Sequence, residues 1–246
     1  KNDSSWEFGS KYELDNDINA DSTRLLSGDI GFSPIGQDNH NFEGKFEGNG
    51  FAIDRLYINR EGTDYNGLFG GAGYAEISNL GLTNCKIFGR KYIGGLVGYN
   101  NLYSKVFNCY STGTVAGNDY VGGLIGANNS EAIVSNCYNI GKISGRAYIG
   151  GLVGVNSRSC TVSNSYCNGN ISGEECVGGL VGENYELVID SYSNGNVTAK
   201  AQVGGLIGHS NGLSTISNSY SKSEVSGTNK IGGLVGIIES STVENC

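Results

Sequence analysis

The chain has 246 residues, of which 41 are glycine, one is proline and none is methionine. Its formal net charge is −8, and charged residues make up 16% of the chain. This argues against nucleic-acid binding, which needs a basic surface. No apolar run approaches the roughly 18 residues of a membrane span.

Residues 1–66 are the least regular part of the chain. They contain short β-prone segments at 12–14 and 34–36 and an alternating stretch at 42–50. We interpret residues 1–66 as the irregular N-terminal turns and cap of a longer solenoid, with Trp6 as a candidate cover for its end.

From residue 67 onward one phrase, Gly-Leu-(Phe/Val/Ile)-Gly, recurs seven times. Its copies start at Gly67, Gly95, Gly123, Gly151, Gly179, Gly205 and Gly233, so every step is 28 residues except one of 26. Such a period is typical of solenoids, in which each repeat buries its apolar face by stacking on its neighbours. Residues 67–246 are therefore predicted to be seven tandem repeats of one solenoid, the last of them incomplete.

Each repeat contains three short β-prone pieces and no helical pattern. In one repeat these pieces are 148–153, 161–166 and 170–172, separated by polar bends that contain Gly or Asn. Crossovers between parallel strands are strongly right-handed. The sequence therefore predicts an all-β fold, a right-handed parallel β-helix with about three short strands per 28-residue turn. Seven turns spaced by about 4.8 Å give a rod about 34 Å long.

Four apolar columns recur at equivalent positions and are expected to form the core. They are Ile93, Val121, Ile149, Val177, Val203 and Ile231; Leu96, Leu124, Leu152, Leu180, Leu206 and Leu234; Ile87, Val115, Ile143, Ile171, Val197 and Val225; and Val106, Val134, Val162, Val188 and Ile216. The glycine pair in each phrase is interpreted as a bend in which a side chain would clash.

A polar column and an aromatic column follow the last of these. The polar column, Asn108, Asn136, Asn164, Asp190 and Asn218, is expected to form a ladder of stacked side chains. Tyrosines occur two residues later, at Tyr110, Tyr138, Tyr166, Tyr192 and Tyr220. The sequence leaves open whether they point inward or outward.

The repeat resembles the GLUG repeat. The resemblance rests on Gly-Gly-Leu-Val-Gly, a following Val-x-Asn-(Cys/Ser)-Tyr strand and a Val-Ser-Gly piece, and residues 46–53 resemble the stretch that precedes such repeats. It implies bacterial surface proteins, namely filamentous-haemagglutinin-like adhesins and the repeat region of IgA-specific metallopeptidases. The peptidase zinc motif, His-Glu-x-x-His, does not occur in the sequence, so the resemblance does not carry that activity.

Three tyrosines are the candidate ligand-binding residues. Tyr92, Tyr120 and Tyr148 each precede an inward Ile or Val, so alternation predicts that they face outward. Aligned on a sheet, they would stack on sugar rings or a partner protein. The alternative is that they only stabilise the sheet by contacts with one another.

The cysteines and sequons suggest modifications. Cys109 and Cys137 lie one period apart, close enough in stacked turns for a disulfide, although small reduced thiols sharing a column with Ser165 and Ser219 explain them as well. The sequons Asn2, Asn128, Asn170 and Asn196 would be glycosylation sites in a eukaryotic protein. Asn128 is expected to lie in an exposed bend.

No catalytic, metal or cofactor site is predicted. His40 and His209 occur in unrelated contexts, and no serine lies near a histidine and an orienting acid. The carboxylates are dispersed over different bends, which disfavours a polysaccharide lyase or glycoside hydrolase. We therefore expect that the chain is not an enzyme.

The expected function is that of a non-catalytic extracellular β-helix region of a bacterial surface adhesin, a rod for attachment or display. Its partner would be a protein or glycan on a host or neighbouring cell. The alternatives are a structural stalk of a surface-anchored peptidase, a fibre subunit that self-associates end to end, and a β-helix lyase or hydrolase.

Overall fold

The computed structural model describes residues 9–37 and 40–246, and over these residues the chain is a parallel β-helix. Strands of successive turns pair in parallel, in the register expected of stacked repeats. The all-β solenoid predicted from the repeat is therefore confirmed. The expectations for Trp6 and Asn2 lie outside the described residues. Among the described residues, no helix is long and apolar enough to cross a membrane.

The strands form four sheets, which we call A to D. Sheet A contains Lys11–Glu13, Lys45–Glu47, Glu76–Ser78, Lys105–Phe107, Ile133–Ser135, Thr161–Ser163, Leu187–Ile189, Thr215–Ser217 and Thr242–Glu244. Sheet B contains Phe69–Gly73, Val97–Asn101, Ile125–Asn128, Val153–Asn156, Val181–Asn184, Ile207–Ser210 and Val235–Ile238.

Sheet C is the largest. It contains Ile18–Asn19, Ala52–Asp54, Tyr57–Asn59, Gly81–Phe88, Tyr110–Ala116, Tyr138–Asn139, Lys142–Ser144, Tyr166–Cys167, Asn170–Ser172, Tyr192–Ser193, Asn196–Thr198, Tyr220–Ser221 and Glu224–Ser226. Sheet D contains Lys91–Gly94, Asp119–Gly122, Ala147–Gly150, Glu175–Gly178, Ala201–Gly204 and Asn229–Gly232. A 3-10 helix, Asp21–Leu25, lies between the first strands of the N-terminal segment.

Each of the three predicted pieces is present in every regular turn, but two of them bend in the middle. In the turn that begins at Ala147, the first piece is the strands Ala147–Gly150 and Val153–Asn156, and the second is Thr161–Ser163 and Tyr166–Cys167. The third piece is the single strand Asn170–Ser172. These corners let one turn contribute to all four sheets.

The four predicted apolar columns form the core except in the last turn, where Ile231 is 49% exposed and Val225 and Leu234 are only partly buried. Strand pairing places Val121 opposite both Ile93 and Ile149, and all three side chains are fully buried. A fifth buried column follows the leucines, at Val97, Ile125, Val153, Val181 and Ile207. Leucine and the next residue are both inside because the chain turns a corner there, which breaks the alternation of a straight strand. Each such side chain contributes roughly 1.5–3 kcal/mol through burial.

The glycine pair is required by close approach of the backbone. A Cβ on Gly150 would overlap the carbonyl oxygen of Val153 and lie 2.8 Å from the amide nitrogen of Gly182. A Cβ on Gly151 would overlap the carbonyl oxygen of Gly179 in the next turn. The interpretation of the pair as a bend without room for a side chain is confirmed.

The predicted polar column lies in exposed left-handed bends. Asn108, Asn136, Asn164, Asp190 and Asn218 have φ between 48° and 54°, a conformation that Asn and Asp tolerate better than other side chains. Asn218 Nδ2 donates to Asp190 Oδ1 at 3.1 Å, so neighbouring turns are linked there. The tyrosines two residues later face outward and stack 4.9–5.1 Å apart with parallel rings.

A second asparagine column, which the sequence analysis did not single out, is buried at the ends of the sheet B strands. Asn100, Asn128, Asn156 and Asn184 have no exposed surface. Each of the first three donates from Nδ2 to Oδ1 of the next, at 2.8, 3.0 and 2.9 Å. We call this column the buried asparagine ladder.

Candidate functional site: the tyrosine groove

The candidate tyrosines lie one above another on the outer side of sheet D. Tyr65, Tyr92, Tyr120 and Tyr148 all have left-handed backbones, with φ between 58° and 61°. Tyr120 and Tyr148 are not a paired position of sheet D. The residues on either side of them are paired, Asp119 with Ala147 and Val121 with Ile149. Each tyrosine is thus an outward bulge of its strand, and we call the four together the tyrosine ladder.

The rings of the tyrosine ladder cover one another. Successive centroids are 5.0, 4.7 and 4.9 Å apart, and the ring planes are within 5° of parallel. The ladder therefore presents ring edges and hydroxyl groups to its side, because the interior ring faces are occupied by the neighbouring rings. A ligand would therefore meet the edges and hydroxyl groups of Tyr92, Tyr120 and Tyr148 rather than their stacked faces, and ligand binding by these three residues stays a prediction. The alternative, stabilisation of the sheet by neighbour contacts, fits this geometry.

A groove runs beside the ladder because the adjacent outward column of sheet B changes in size. Strand pairing aligns Tyr99, Ala127, Val155, Glu183 and His209 in successive turns. The two small side chains form the floor of a recess, and the larger side chains close its two ends. The recess has a volume of about 210 Å³. We call it the tyrosine groove; it is lined by Tyr92, Tyr99, Tyr120, Ala127, Asn129, Val155, Ser157, Glu183 and Tyr185.

One end of the groove is formed by Tyr99. Its ring packs nearly perpendicular to Tyr92, with centroids 5.4 Å apart, and makes a similar contact with Tyr65. The Asn129 amide donates to the Tyr99 hydroxyl across the groove. This end is therefore fixed both by aromatic packing and by a hydrogen bond.

The other end is formed by a buried carboxyl group. Glu183 is 8% exposed, its Oε1 accepts a hydrogen bond from the Tyr185 hydroxyl at 2.8 Å, and His209 Nδ1 lies 3.4 Å from the same oxygen. Burial raises the pKa of Glu183, against the opposing effects of Tyr185 and His209. The sequence analysis treated all the carboxylates, Glu183 included, as dispersed over different bends and found no shared context for His209. The signal it missed was the step from small to large residues along one outward column.

The groove is suited to one polar, ring-sized group. Its volume is below the roughly 300–1,000 Å³ of pockets that enclose a drug-sized ligand. Burial raises the pKa of Tyr92 to about 12 and also raises that of Tyr120, so these hydroxyls stay neutral donors and acceptors at physiological pH. Together with the Asn129 amide and the Ser157 hydroxyl, they give the groove several hydrogen-bonding groups.

The described residues contain no cluster of three or more His, Cys, Asp or Glu side chains arranged to hold a metal ion. Cys109 and Cys137 are free, buried thiols. The amide nitrogen of Cys137 donates to Ser165 Oγ at 3.1 Å, and Ser191 N donates to Ser219 Oγ in the same way. The two thiols are not joined in this structure, and a column shared by Cys and Ser, the alternative from the sequence, describes these positions.

The sequons differ in exposure. Asn170 and Asn196 are exposed on sheet C. Asn128 belongs to the buried asparagine ladder, where its Nδ2 also donates to the carbonyl oxygen of Ala132 at 3.2 Å. The expectation that Asn128 lies in an exposed bend is wrong, because the bend begins after this residue.

Comparison with known proteins agrees with the fold and the repeat. The model of the GLUG motif matches residues 89–116 and 173–198. Over 109 residues, 43% of this chain, the sequence is 38% identical to Halomucin of Haloquadratum walsbyi. Over 77 residues, 30% of this chain, it is 42% identical to a "Putative Gly-rich membrane protein" of Evansella cellulosilytica. These matches cover 1% and 9% of the two relatives.

A solved structure shares the architecture over nearly the whole chain. The crystal structure described as a "putative immunoglobulin A1 protease" from Bacteroides ovatus superposes with a TM-score of 0.63 and 21% identity. The superposition covers 97% of this chain and 72% of that one. At this identity the likeness shows the fold alone. Together with the motif matches, it confirms the resemblance to GLUG-repeat proteins.

Proposed function

We propose that this chain, whose turns carry the GLUG motif, is a non-catalytic extracellular region of a bacterial surface adhesin and binds its target through the tyrosine groove. The observation that carries the proposal is the recess between Tyr99 and Glu183. It presents hydroxyl, amide and carboxyl groups on the side of a rod. The names of the relatives, a halomucin and a membrane protein, support a place at the cell surface.

The solenoid separates the residues that hold the rod together from those that meet a ligand. The inward leucine is the same in every turn, whereas the outward column of sheet B changes from Tyr99 through Ala127 and Val155 to Glu183. A change at an outward position alters the surface without disturbing the stacking of the turns. Such a scaffold is suited to recognition, because function depends on the site grafted onto the fold.

The target is a surface glycan or a glycosylated protein. The groove admits one sugar residue, whose hydroxyl groups would pair with Tyr120, Asn129, Ser157 and Tyr185. The apolar floor of Ala127 and Val155 would contact its C–H face. A site of this size gives modest affinity, so attachment would depend on several copies of the chain at one surface.

Substitutions of tyrosine by phenylalanine test this role, because they keep the aromatic rings and remove only the hydroxyl groups. Tyr120→Phe and Tyr185→Phe should each weaken binding to a glycan array or to target cells about tenfold, the effect of one lost hydrogen bond. Tyr138→Phe and Tyr166→Phe are matched controls, because their rings stack at the same 4.9 Å in the ladder of sheet C. Equal binding by all four variants would contradict the proposal.

A second candidate function is a structural stalk that holds a peptidase away from the cell. The observation that favours it is the superposition of 97% of this chain on a protein described as a protease. In that case the groove variants would leave attachment unchanged, while shortening the rod by two whole repeats in the full-length protein would reduce cleavage of surface-bound substrate.

A further inference from the structure

A second concave site lies at the N-terminal end of the rod, away from the tyrosine groove. It is a cleft of about 900 Å³ between the 3-10 helix Asp21–Leu25 and the outer side of sheet C. This volume falls in the range of pockets that enclose a whole small ligand. We call it the basic cleft, because Arg24, Arg55 and Lys86 line it.

These cations are available to a ligand. Lys86 forms no ion pair with any described residue, and Arg24 lies 3.9 Å from Asp21, at the limit of an ion pair. Arg55 Nε lies 3.3 Å from the Asp54 carboxylate, and the side chains of Arg55 and Asp54 are both partly exposed. Exposed pairs of this kind are worth about 0–1 kcal/mol. An anionic ligand would therefore displace them at little cost.

Asp54 is already satisfied without Arg55. Its Oδ1 accepts hydrogen bonds from the Thr83 hydroxyl and the Asn84 amide, both at 2.8 Å. These two hydrogen bonds lower the pKa of Asp54, and the bond from Asn84 has the larger effect. The carboxylate thus stays stable in the folded chain when the guanidinium group turns toward a ligand.

The cleft also contains hydrogen-bond acceptors and an apolar side chain. Asp21 and Asp29 line it together with Asn84, and Leu25 is 72% exposed at its edge. Two carboxylates would repel a compact anion such as phosphate, but they would accept hydrogen bonds from hydroxyl groups. A ligand that carries both anionic groups and hydroxyl groups matches this mixture.

We propose that the basic cleft binds an acidic oligosaccharide. Its carboxylates lie against Lys86, Arg24 and Arg55, and its hydroxyl groups donate to Asp21 and Asp29. A peptide fits less well, because Leu56 is 2% exposed and the apolar surface of the cleft is limited to Leu25 and Tyr57 among mostly charged and polar side chains. This site is separate from the tyrosine groove, so it stands whether or not the groove binds.

Calorimetric titration of the whole chain with acidic trisaccharides tests the proposal. The probes are trigalacturonate, a glucuronate-containing trisaccharide and sialyllactose, each compared with a neutral trisaccharide. Binding of at least one acidic probe, weakened tenfold or more in its neutral counterpart and reduced by 0.5 M salt, is expected. Absence of binding by all three acidic probes would overturn the proposal, and so would tighter binding of a hexaglutamate peptide.

A pair of lysine variants locates the site. Lys86→Ala should weaken binding at least fivefold. Lys142→Ala is the matched control, since strand pairing places Lys142 two turns above Lys86 in the same exposed column of sheet C and outside the cleft. Equal affinity of these two variants would overturn the assignment to the cleft. Tyr120→Phe should leave this binding unchanged, which separates failure here from failure of the tyrosine groove.

Discussion

Replacement of Asn156 by alanine removes a central side chain of the buried asparagine ladder. Its Oδ1 accepts from Asn128 at 3.0 Å, and its Nδ2 donates to Asn184 at 2.9 Å and to the carbonyl oxygen of Leu187 at 3.3 Å. The side chain has no exposed surface, so water cannot replace these partners without entering the core.

The expected loss is large compared with the stability of a domain. Three hydrogen bonds at about 1 kcal/mol each are lost. Asn128 Nδ2 keeps the carbonyl oxygen of Ala132 and Asn184 Oδ1 keeps the amide of Glu186, but each loses a partner in the dry core, at about 1 kcal/mol or more in total. We expect Asn156→Ala to lower the free energy of unfolding by about 3–5 kcal/mol. This is a substantial part of the roughly 5–15 kcal/mol that a folded domain has in total.

Urea denaturation followed by circular dichroism measures this loss. Asn164→Gly is the control from the same turn, because Asn164 is exposed and has φ of 48°, a conformation that glycine adopts freely. Its stability should stay within about 1 kcal/mol of the parent chain. A loss below about 1 kcal/mol for Asn156→Ala would refute the argument that the ladder is a stabilising part of the core.

Three further predictions concern the bends, the groove and the thiols. Gly150→Ala should destabilise the chain by about 3 kcal/mol, because the added Cβ would overlap the carbonyl oxygen of Val153. Gly62→Ala is the control: it has open space around it and should be neutral or slightly stabilising in the same denaturation assay. Burial raises the pKa of Glu183 above its ordinary 4.5, so the stability that this group contributes is full below pH 4.5 and is lost as the pH rises through the raised value. Melting curves should show that Glu183→Gln removes this decline. Parallel pH profiles of melting temperature for the variant and the parent chain would contradict it. Burial raises the pKa of Cys85 to about 12, and six of the seven thiols are buried. Mass spectrometry after treatment with iodoacetamide should therefore find Cys246 alone modified in the native chain. Rapid labelling of several thiols would count against the packed core.

The apolar columns and the register of the turns were predictable from the sequence. Positions such as Ile149 and Leu152 recur at one spacing, and stacking is the arrangement that buries all of them together. The glycine pair was predictable as well, from its recurrence at the same place in every repeat. A residue type kept at each repeat, where alternation calls for a side chain, indicates that the backbone leaves no room for one.

The candidate site was only partly predictable, because local backbone conformation determines it. Alternation placed Tyr120 on the outside, but its left-handed backbone aligns the ring face to face with its neighbours, and alternation contains no information on φ. The buried asparagine ladder was missed because Asn128 follows an apolar strand and reads as the start of a loop. Glu183 becomes a groove end only through the small size of Val155 one turn below.

Distances between spin labels placed in one column of sheet A test most directly whether the turns stack in register. Strand pairing places Lys45, Lys105 and Thr242 in the same column, with Thr242 five turns from Lys105 and seven from Lys45. With Cys246 replaced by serine, double electron–electron resonance on Lys105→Cys/Thr242→Cys and on Lys45→Cys/Thr242→Cys should give backbone separations of about 24 and 34 Å, or about 4.8 Å per turn. Separations that do not increase with the number of turns would contradict the stacked solenoid and the sites built on it.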